Sequence, residues 1–132
     1  MAAVESSVIN DPFVQAMLDR DLDTFVSFYQ DDAITYGLGP SPVTKGKAAI
    51  REEMAAMFQA IKCDTFDWDD TGEVVGDTAY HWGTWHLVGT NLITNEKVDM
   101  WARTLDVRKR QADGSWKIAV DHASVFPTPP GA

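Results

Sequence analysis

Two ionisable side chains interrupt apolar strand patterns in the last third of the chain, within Met100–Ser124, MWARTLDVRKRQADGSWKIAVDHAS. Arg103 shares a side with Trp101, Leu105 and Val107, opposite Asp106 and Arg108. By period-two counting, His122 shares a side with Trp116, Ile118 and Val120. A guanidinium there suits bidentate binding of a carboxylate or an enolate-like oxygen, or an ion pair with Asp99 on its own strand face or with a carboxylate next door. Histidine is the side chain suited to proton shuttling near neutral pH, so His122 would serve as an acid/base, or it bonds Ser124 or a backbone carbonyl. Asp121 precedes it, so in a regular strand the two point to opposite faces and form no dyad. A bulge would reverse the assignment of His122.

Further upstream, Tyr80, Trp82, Thr84 and His86 share one strand face, and His81, Gly83, Trp85 and Leu87 share the other. His86 belongs to a pocket or to solvent, and Trp82 to a pocket wall or to core packing. Tyr36 ends a short strand, where its hydroxyl meets either a substrate oxygen or water. Met54, Met57 and Phe58 form a helical stripe that reads as core facing any cavity. Polar groups on an apolar sheet face need partners or line a cavity, which is why Arg103 and His122 lead this set.

The elements that must hold these residues follow from periodicity. Residues 1–10 read as frayed or partly ordered. Asp11-Pro12 reads as a cap and first turn for a helix carrying Phe13, Val14, Met17 and Leu18. A second short helix, capped by Asp21, carries Leu22, Phe25, Val26, Phe28 and Tyr29 and stops at Asp31-Asp32. Ala33–Tyr36 is a short strand, and Gly37–Thr44 a loop. Ile50, Met54, Met57, Phe58 and Ile61 recur at three and four, predicting a helix over Lys47–Ala60. Beyond it the period changes to two. Phe66–Val75, Thr78–Thr90, Val98–Lys109 and Trp116–Val125 are expected strands, joined by Gly76-Asp77, a turn near Asn95, and Asp113-Gly114. Residues 127–132 are a tail. Helices gathered ahead of an antiparallel meander indicate an α+β fold: a curved, cone-shaped antiparallel sheet wrapped around three N-terminal helices.

Composition narrows the function classes. The 132 residues make one domain, with its core at about 11–126, large enough for a substantial core. A formal charge of -9 opposes non-specific nucleic-acid binding and adhesion to anionic membranes. The basic run Arg108-Lys109-Arg110 reads as a solvated hairpin flank, and Asp64, Asp67, Asp69 and Asp70 as a solvated strand start. Cys63 is the sole cysteine, so no intrachain disulfide or thiolate-rich metal site forms. The three histidines show no metal-ligand spacing, Gly37-Leu38-Gly39-Pro40 is no phosphate loop, and no cofactor is implied. With no membrane-length apolar run and no leader pattern, a soluble cytoplasmic protein is expected.

Three stretches resemble the nuclear transport factor 2-like superfamily, especially its polyketide-cyclase-like (SnoaL-like) and ketosteroid-isomerase-like branches. They are Phe28-Tyr29-Gln30-Asp31-Asp32-Ala33-Ile34, Lys45-Gly46-Lys47-Ala48-Ala49-Ile50-Arg51, and Asp113–Ile118 followed by Asp121–Ser124. The last is also similar to the association domain of calmodulin-dependent kinase. The resemblance implies a cystatin-like cone whose open end binds a ligand, and it turns the Tyr80 face of its strand inward. It departs from ketosteroid isomerase at two places. Gly37 stands where the general-base aspartate would be, and Phe13–Leu18 holds no tyrosine for the oxyanion hole that the ketosteroid isomerase mechanism uses. What remains is a protein binding a small, largely apolar organic molecule. As an enzyme it would be an isomerase, cyclase or dehydratase moving a proton near a carbonyl. His122 or His86 would act as acid/base, Arg103 and Tyr36 would stabilise negative charge, and Trp82, Trp101, Met54 and Phe58 would line the pocket. The alternative is a non-catalytic carrier or oligomerisation module. Arg103, Trp82 and His122 are expected to converge on one cavity. A homodimer is expected through an outer sheet face carrying Trp85 and Leu87.

Overall fold

The computed structural model describes residues 4–37 and 41–126. A 3-10 turn, Glu5–Ile9, leads directly into α1 (Asn10–Asp19) and then α2 (Leu22–Ser27), β1 (Tyr29–Tyr36), β2 (Val43–Lys45) and α3 (Lys47–Ala60). The meander follows as β3 (Ile61–Val75), β4 (Thr78–Asn91), β5 (Lys97–Arg110) and β6 (Trp116–Phe126). The expected order of elements is therefore present, with several boundary corrections. Of the stretch expected to be frayed, 1–3 lie outside the described residues, while Glu5–Ile9 form the 3-10 turn with Ser6 and Ile9 buried. Helix α1 starts one residue before Asp11, without a side-chain cap. Tyr29 opens β1 instead of closing α2, and Val43–Lys45 pairs with β1 where a loop was expected. The expected tail, 127–132, and the central part of the expected loop, 38–40, lie outside the described residues.

Local chemistry explains the helices. Phe13, Ala16 and Met17 bury one stripe of α1, which ends at Arg20 in the left-handed region. Asp21 then caps α2, accepting from the Thr24 amide at 3.2 Å. Gly46 precedes α3 at φ 91°, a backbone that favours glycine, and donates to the Ala33 carbonyl at 2.7 Å. This bond ties the start of α3 to β1.

One curved sheet of order β2-β1-β6-β5-β4-β3 closes around the helices. All pairings are antiparallel except β1 with β6, which is parallel. Aromatic contacts knit the helices to the concave face: Phe13 lies 4.7 Å from Phe25 and 5.3 Å from Trp68, centroid to centroid. Ile50 and Phe58 of α3 are buried in the same core as Ile118. Leu105 and Val107, expected to join them, lie on the convex face; Leu105 is 53% exposed.

Two register shifts decide which side chains point inward. Asp64 is the extra residue between the pairs Cys63–Gly89 and Thr65–Val88. Ala119 is the extra residue between Arg108–Ile118 and Val107–Val120. Before the second bulge Trp116 and Ile118 face inward; after it Asp121 and Ala123 do, and His122 is turned to the outside. The sequence count that put His122 beside Trp116 fails at that single residue.

Candidate functional site

The concave face encloses a cavity of about 370 Å³ between the sheet and all three helices. Its walls are apolar, built from side chains such as Phe13, Phe25, Met54, Phe66, Trp68 and Trp85. Polar groups enter at a few points, from Tyr29 on β1, Glu53 on α3, Thr104 and Asp106 on β5, and Asp121 on β6. No lysine, arginine or histidine lines it among the described residues.

Asp106 and Asp121 are direct cross-strand partners on the inner face. Side chains in such a position have Cβ atoms about 5 Å apart, so the two carboxyls lie side by side. Their surroundings differ. Asp106 receives one edge of the Arg108 guanidinium bidentately, Nε on Oδ1 at 2.7 Å and Nη2 on Oδ2 at 3.2 Å. Asp121 receives only the Tyr29 hydroxyl, on Oδ2 at 2.9 Å. Asp121 lines the cavity, and its Oδ1 has no protein donor among the described residues. Burial, reinforced by the negative charge of Asp106, pushes the Asp121 carboxyl up to about 7; the Tyr29 bond and the more distant Arg108 charge oppose the rise. Burial also raises Asp106, with Arg108 holding it back. The Tyr29 hydroxyl is raised well above its ordinary value, chiefly by burial, and stays a donor.

Behind Asp106 lies a sealed polar cluster. Arg108 has no solvent exposure, and all five of its N–H bonds have acceptors. Besides Asp106 these are Asp70 Oδ2 at 3.5 Å, the Ser6 carbonyl at 2.7 Å and Asn10 Oδ1 at 2.7 Å. His81, also fully buried, bridges Asp70 Oδ2 at 2.8 Å through Nδ1 and Ser6 Oγ at 2.6 Å through Nε2. An ionised carboxylate only accepts, so in the neutral imidazole Nδ1 carries the proton and Ser6 donates to Nε2. Gly72 makes room for the ring, since a Cβ there would sit 2.3 Å from it. The order serine, histidine, aspartate is that of an activated nucleophile, but here neither serine nor histidine reaches the cavity or solvent. It functions as a bolt fixing the N-terminal turn to the sheet.

The residues singled out in the sequence sit elsewhere. Arg103, His122, His86, Trp82, Trp101 and Tyr36 all occupy the convex face. Asp99 pairs with His86 at 2.6 Å, while Arg103 lies over the Phe126 ring at 5.1 Å. His86 stacks on Trp101 at 3.8 Å, and Tyr36 lies 6.1 Å from His122. Arg103, Trp82 and His122 thus share a face, but it is the outer one, and the expectation that they converge on a cavity fails. The inward turn expected for Tyr80 is reversed as well: His81, Trp85 and Leu87 point inside. Trp85 and Leu87 are consequently buried and cannot form the expected dimer face. Met54 lines the cavity as expected, whereas Phe58 is core, edge-on to Phe25 at 5.8 Å. The expected solvated charges are divided: Lys109 and Asp67 are exposed, but Arg108 and Asp70 are not.

With this geometry in hand, the match of the SnoaL-like domain model to residues 11–119 has a structural counterpart over the same stretch. The chain belongs to the SnoaL-like family. No curated protein matches it in sequence. Among solved structures, a ketosteroid isomerase-like protein from Erwinia carotovora atroseptica is similar at TM-score 0.82 and 19% identity, over 93% of this chain and 95% of that one. A protein described as a calcium/calmodulin dependent protein kinase II association domain, from Xanthomonas campestris, gives 0.79 and 20%, over 95% and 88%. One described as a dehydratase of the nuclear transport factor 2-like family, from Streptomyces avermitilis, gives 0.73 and 21%, over 92% and 94%. At these identities the likeness is one of fold, and the SnoaL-like fold accommodates both catalytic and non-catalytic proteins.

Proposed function

We propose that this SnoaL-like protein binds a small, largely apolar carbonyl compound in the cavity and moves a proton on it without a cofactor, as an isomerase, cyclase or dehydratase would. The supporting observation is the Asp106–Asp121 pair at the wall of an enclosed apolar cavity. Two carboxyls in unequal environments supply an acid and a base from the same residue type. Asp121, at the cavity wall with Oδ1 uncommitted and a proton affinity centred near neutrality, is the proton carrier. Ionised, it takes a proton from the carbon beside the carbonyl; protonated, it returns that proton to a second carbon or to a departing hydroxyl. Arg108 holds Asp106 toward its charged form, and that charge raises the proton affinity of Asp121, which ends the cycle ionised as it began.

Hydrogen–deuterium exchange at the α-carbon of 2-tetralone, an uncharged bicyclic ketone, tests this reading by proton NMR in heavy water. Exchange catalysed by the protein, with a rate that follows a titration near pH 7, is expected. Saturable binding with no acceleration over buffer would leave only the non-catalytic carrier.

We also propose a homodimer formed through the convex sheet face, using residues other than those first expected. Trp82 and Leu105 are registered neighbours there, 42% and 53% exposed, and His122 is registered beside Leu105. An exposed tryptophan–leucine pair on a broad sheet suits an isologous contact. Leu105→Asp should convert a dimer to a monomer at micromolar concentration by sedimentation. A monomeric wild-type protein would dismiss the proposal.

A further inference from the structure

The cavity wall carries negative charge that the protein does not balance. Glu53 on α3, Asp106 on β5 and Asp121 on β6 line it, with no lysine, arginine or histidine beside them among the described residues. The cation whose charge reaches Asp121 is Arg108, and its five N–H groups are committed to Asp106, Asp70, the Ser6 carbonyl and Asn10. A desolvated carboxylate without a counter-ion is costly, so it either holds a proton or gains a cation. Asp121 is in that position: Oδ2 takes the Tyr29 hydroxyl, and Oδ1 has no protein donor among the described residues. It also keeps surface for a ligand. Asp121 is only half-buried by accessible area, while burial is the leading cause of its raised proton affinity. Both hold when the accessible surface opens on the enclosed cavity that the residue lines, and not on bulk solvent.

We infer that the cavity is a binding site for protonated amines on an apolar frame, with the ammonium N–H groups donating to Asp121. An ammonium has donors and no acceptor, which matches a carboxylate oxygen that only accepts. Phe13, Phe25, Trp68 and Trp85 in the lining supply rings whose faces attract a cation. This ligand class goes beyond the carbonyl reading, although an amine held there would occupy the proposed base. Binding is linked to protons with a fixed sign. An ammonium favours the ionised carboxyl, so it lowers the proton affinity of Asp121, which lies at about 7 in the free protein. Below that pH an arriving amine displaces a proton, and above it none is displaced. The other charged or titratable groups around Asp121 are Tyr29 on β1, Glu53 on α3, Asp70 on β3, His81 on β4, and Asp106 and Arg108 on β5. Helices α1 and α2 contribute only Phe13, Met17 and Phe25 to the lining.

Calorimetry with 2-aminotetralin and 2-tetralol, which differ in ammonium against hydroxyl, tests the assignment. At pH 8 the amine should bind about tenfold tighter than the alcohol. From pH 8 to pH 5 the amine's affinity should fall by about tenfold to a hundredfold as Asp121 takes up its proton, while the alcohol's stays nearly constant. At pH 6, buffers of different ionisation enthalpy should report about one proton released per amine bound. Asp121→Asn should bring the two affinities close to parity and abolish the proton release; should that variant not fold, the wild-type pH series still decides. Equal binding of amine and alcohol, an amine affinity that is flat or rises on acidification, an unchanged amine preference in Asp121→Asn, or binding of neither molecule would overturn the inference. Exchange into 2-tetralone plays no part in these readouts. Its absence would remove the proton-transfer reading and leave this one, while equal binding beside catalysed exchange would do the reverse.

Discussion

Asp121→Asn should abolish catalysed exchange and at the same time make the protein more stable at pH 8. Loss of a positioned acid/base group removes about 10²–10⁴-fold in rate. The stability gain follows from linkage. The folded-state carboxyl is raised from 3.8 to about 7, so the native state binds more protons than the unfolded state between those values. Its favourable contribution is complete below about pH 4, is lost as pH rises through about 7, and stays lost above. At 1.36 kcal/mol per unit, the span is on the order of 4 kcal/mol, from which incomplete burial and relaxation subtract. Asparagine is neutral throughout and keeps an acceptor for Tyr29. Thermal midpoints at pH 5 and pH 8 should therefore differ less in the variant than in the wild type. A variant equally active, or one with the wild-type pH dependence of stability, would remove Asp121 from the proton-carrying role.

The site was harder to read in the sequence than the fold. Fold class and the α3 stripe were legible because they depend on periodicity, which burial enforces: Ile50, Met54 and Phe58 lie where a 3.6-residue repeat puts them. The site depends on face, and face is a single bit per strand. On β5, Trp101, Leu105 and Val107 look like the buried side, yet the inner side is Ala102, Thr104, Asp106 and Arg108. The helices supply bulk that fills the cone, so at this stretch of β5 the inner positions can be small or polar while Leu105 and Val107 stay on the outside. On β6 the bulge at Ala119 inverts the count midway, bringing Asp121 in and sending His122 out. One signal was available: Asp106-Val107-Arg108 places opposite charges two apart on one strand face, an arrangement that can satisfy itself when buried. Nothing local in Ser6 or Asn10 announces that they complete Arg108 across about a hundred residues of chain.

Arg108→Met should be the most damaging single substitution outside the aromatic core. The replacement fills much of the volume but strips the cation from Asp106 and Asp70 and the donors from the Ser6 carbonyl and Asn10. Removing one member of a buried ion network typically costs about 3–5 kcal/mol, because the remaining charges stay desolvated. For a domain of this size that is a fall of about 10–20 °C in thermal midpoint. The sign of its pH dependence is fixed by Asp106. Burial already raises that carboxyl, and Arg108 is what holds it down. Without the guanidinium it rises further, so the native state gains protons as pH falls, and stability recovers on acidification. The deficit relative to wild type should thus be smaller at pH 5 than at pH 8 in calorimetric melts. A deficit independent of pH would mean that Arg108 acts by packing against Trp68, whose ring lies 5.5 Å from its guanidinium, and not by charge. A protein that melts as the wild type does would mean that the cluster does not hold Asp106. The unequal carboxyl pair, and with it the acid/base assignment, would then lose its physical basis.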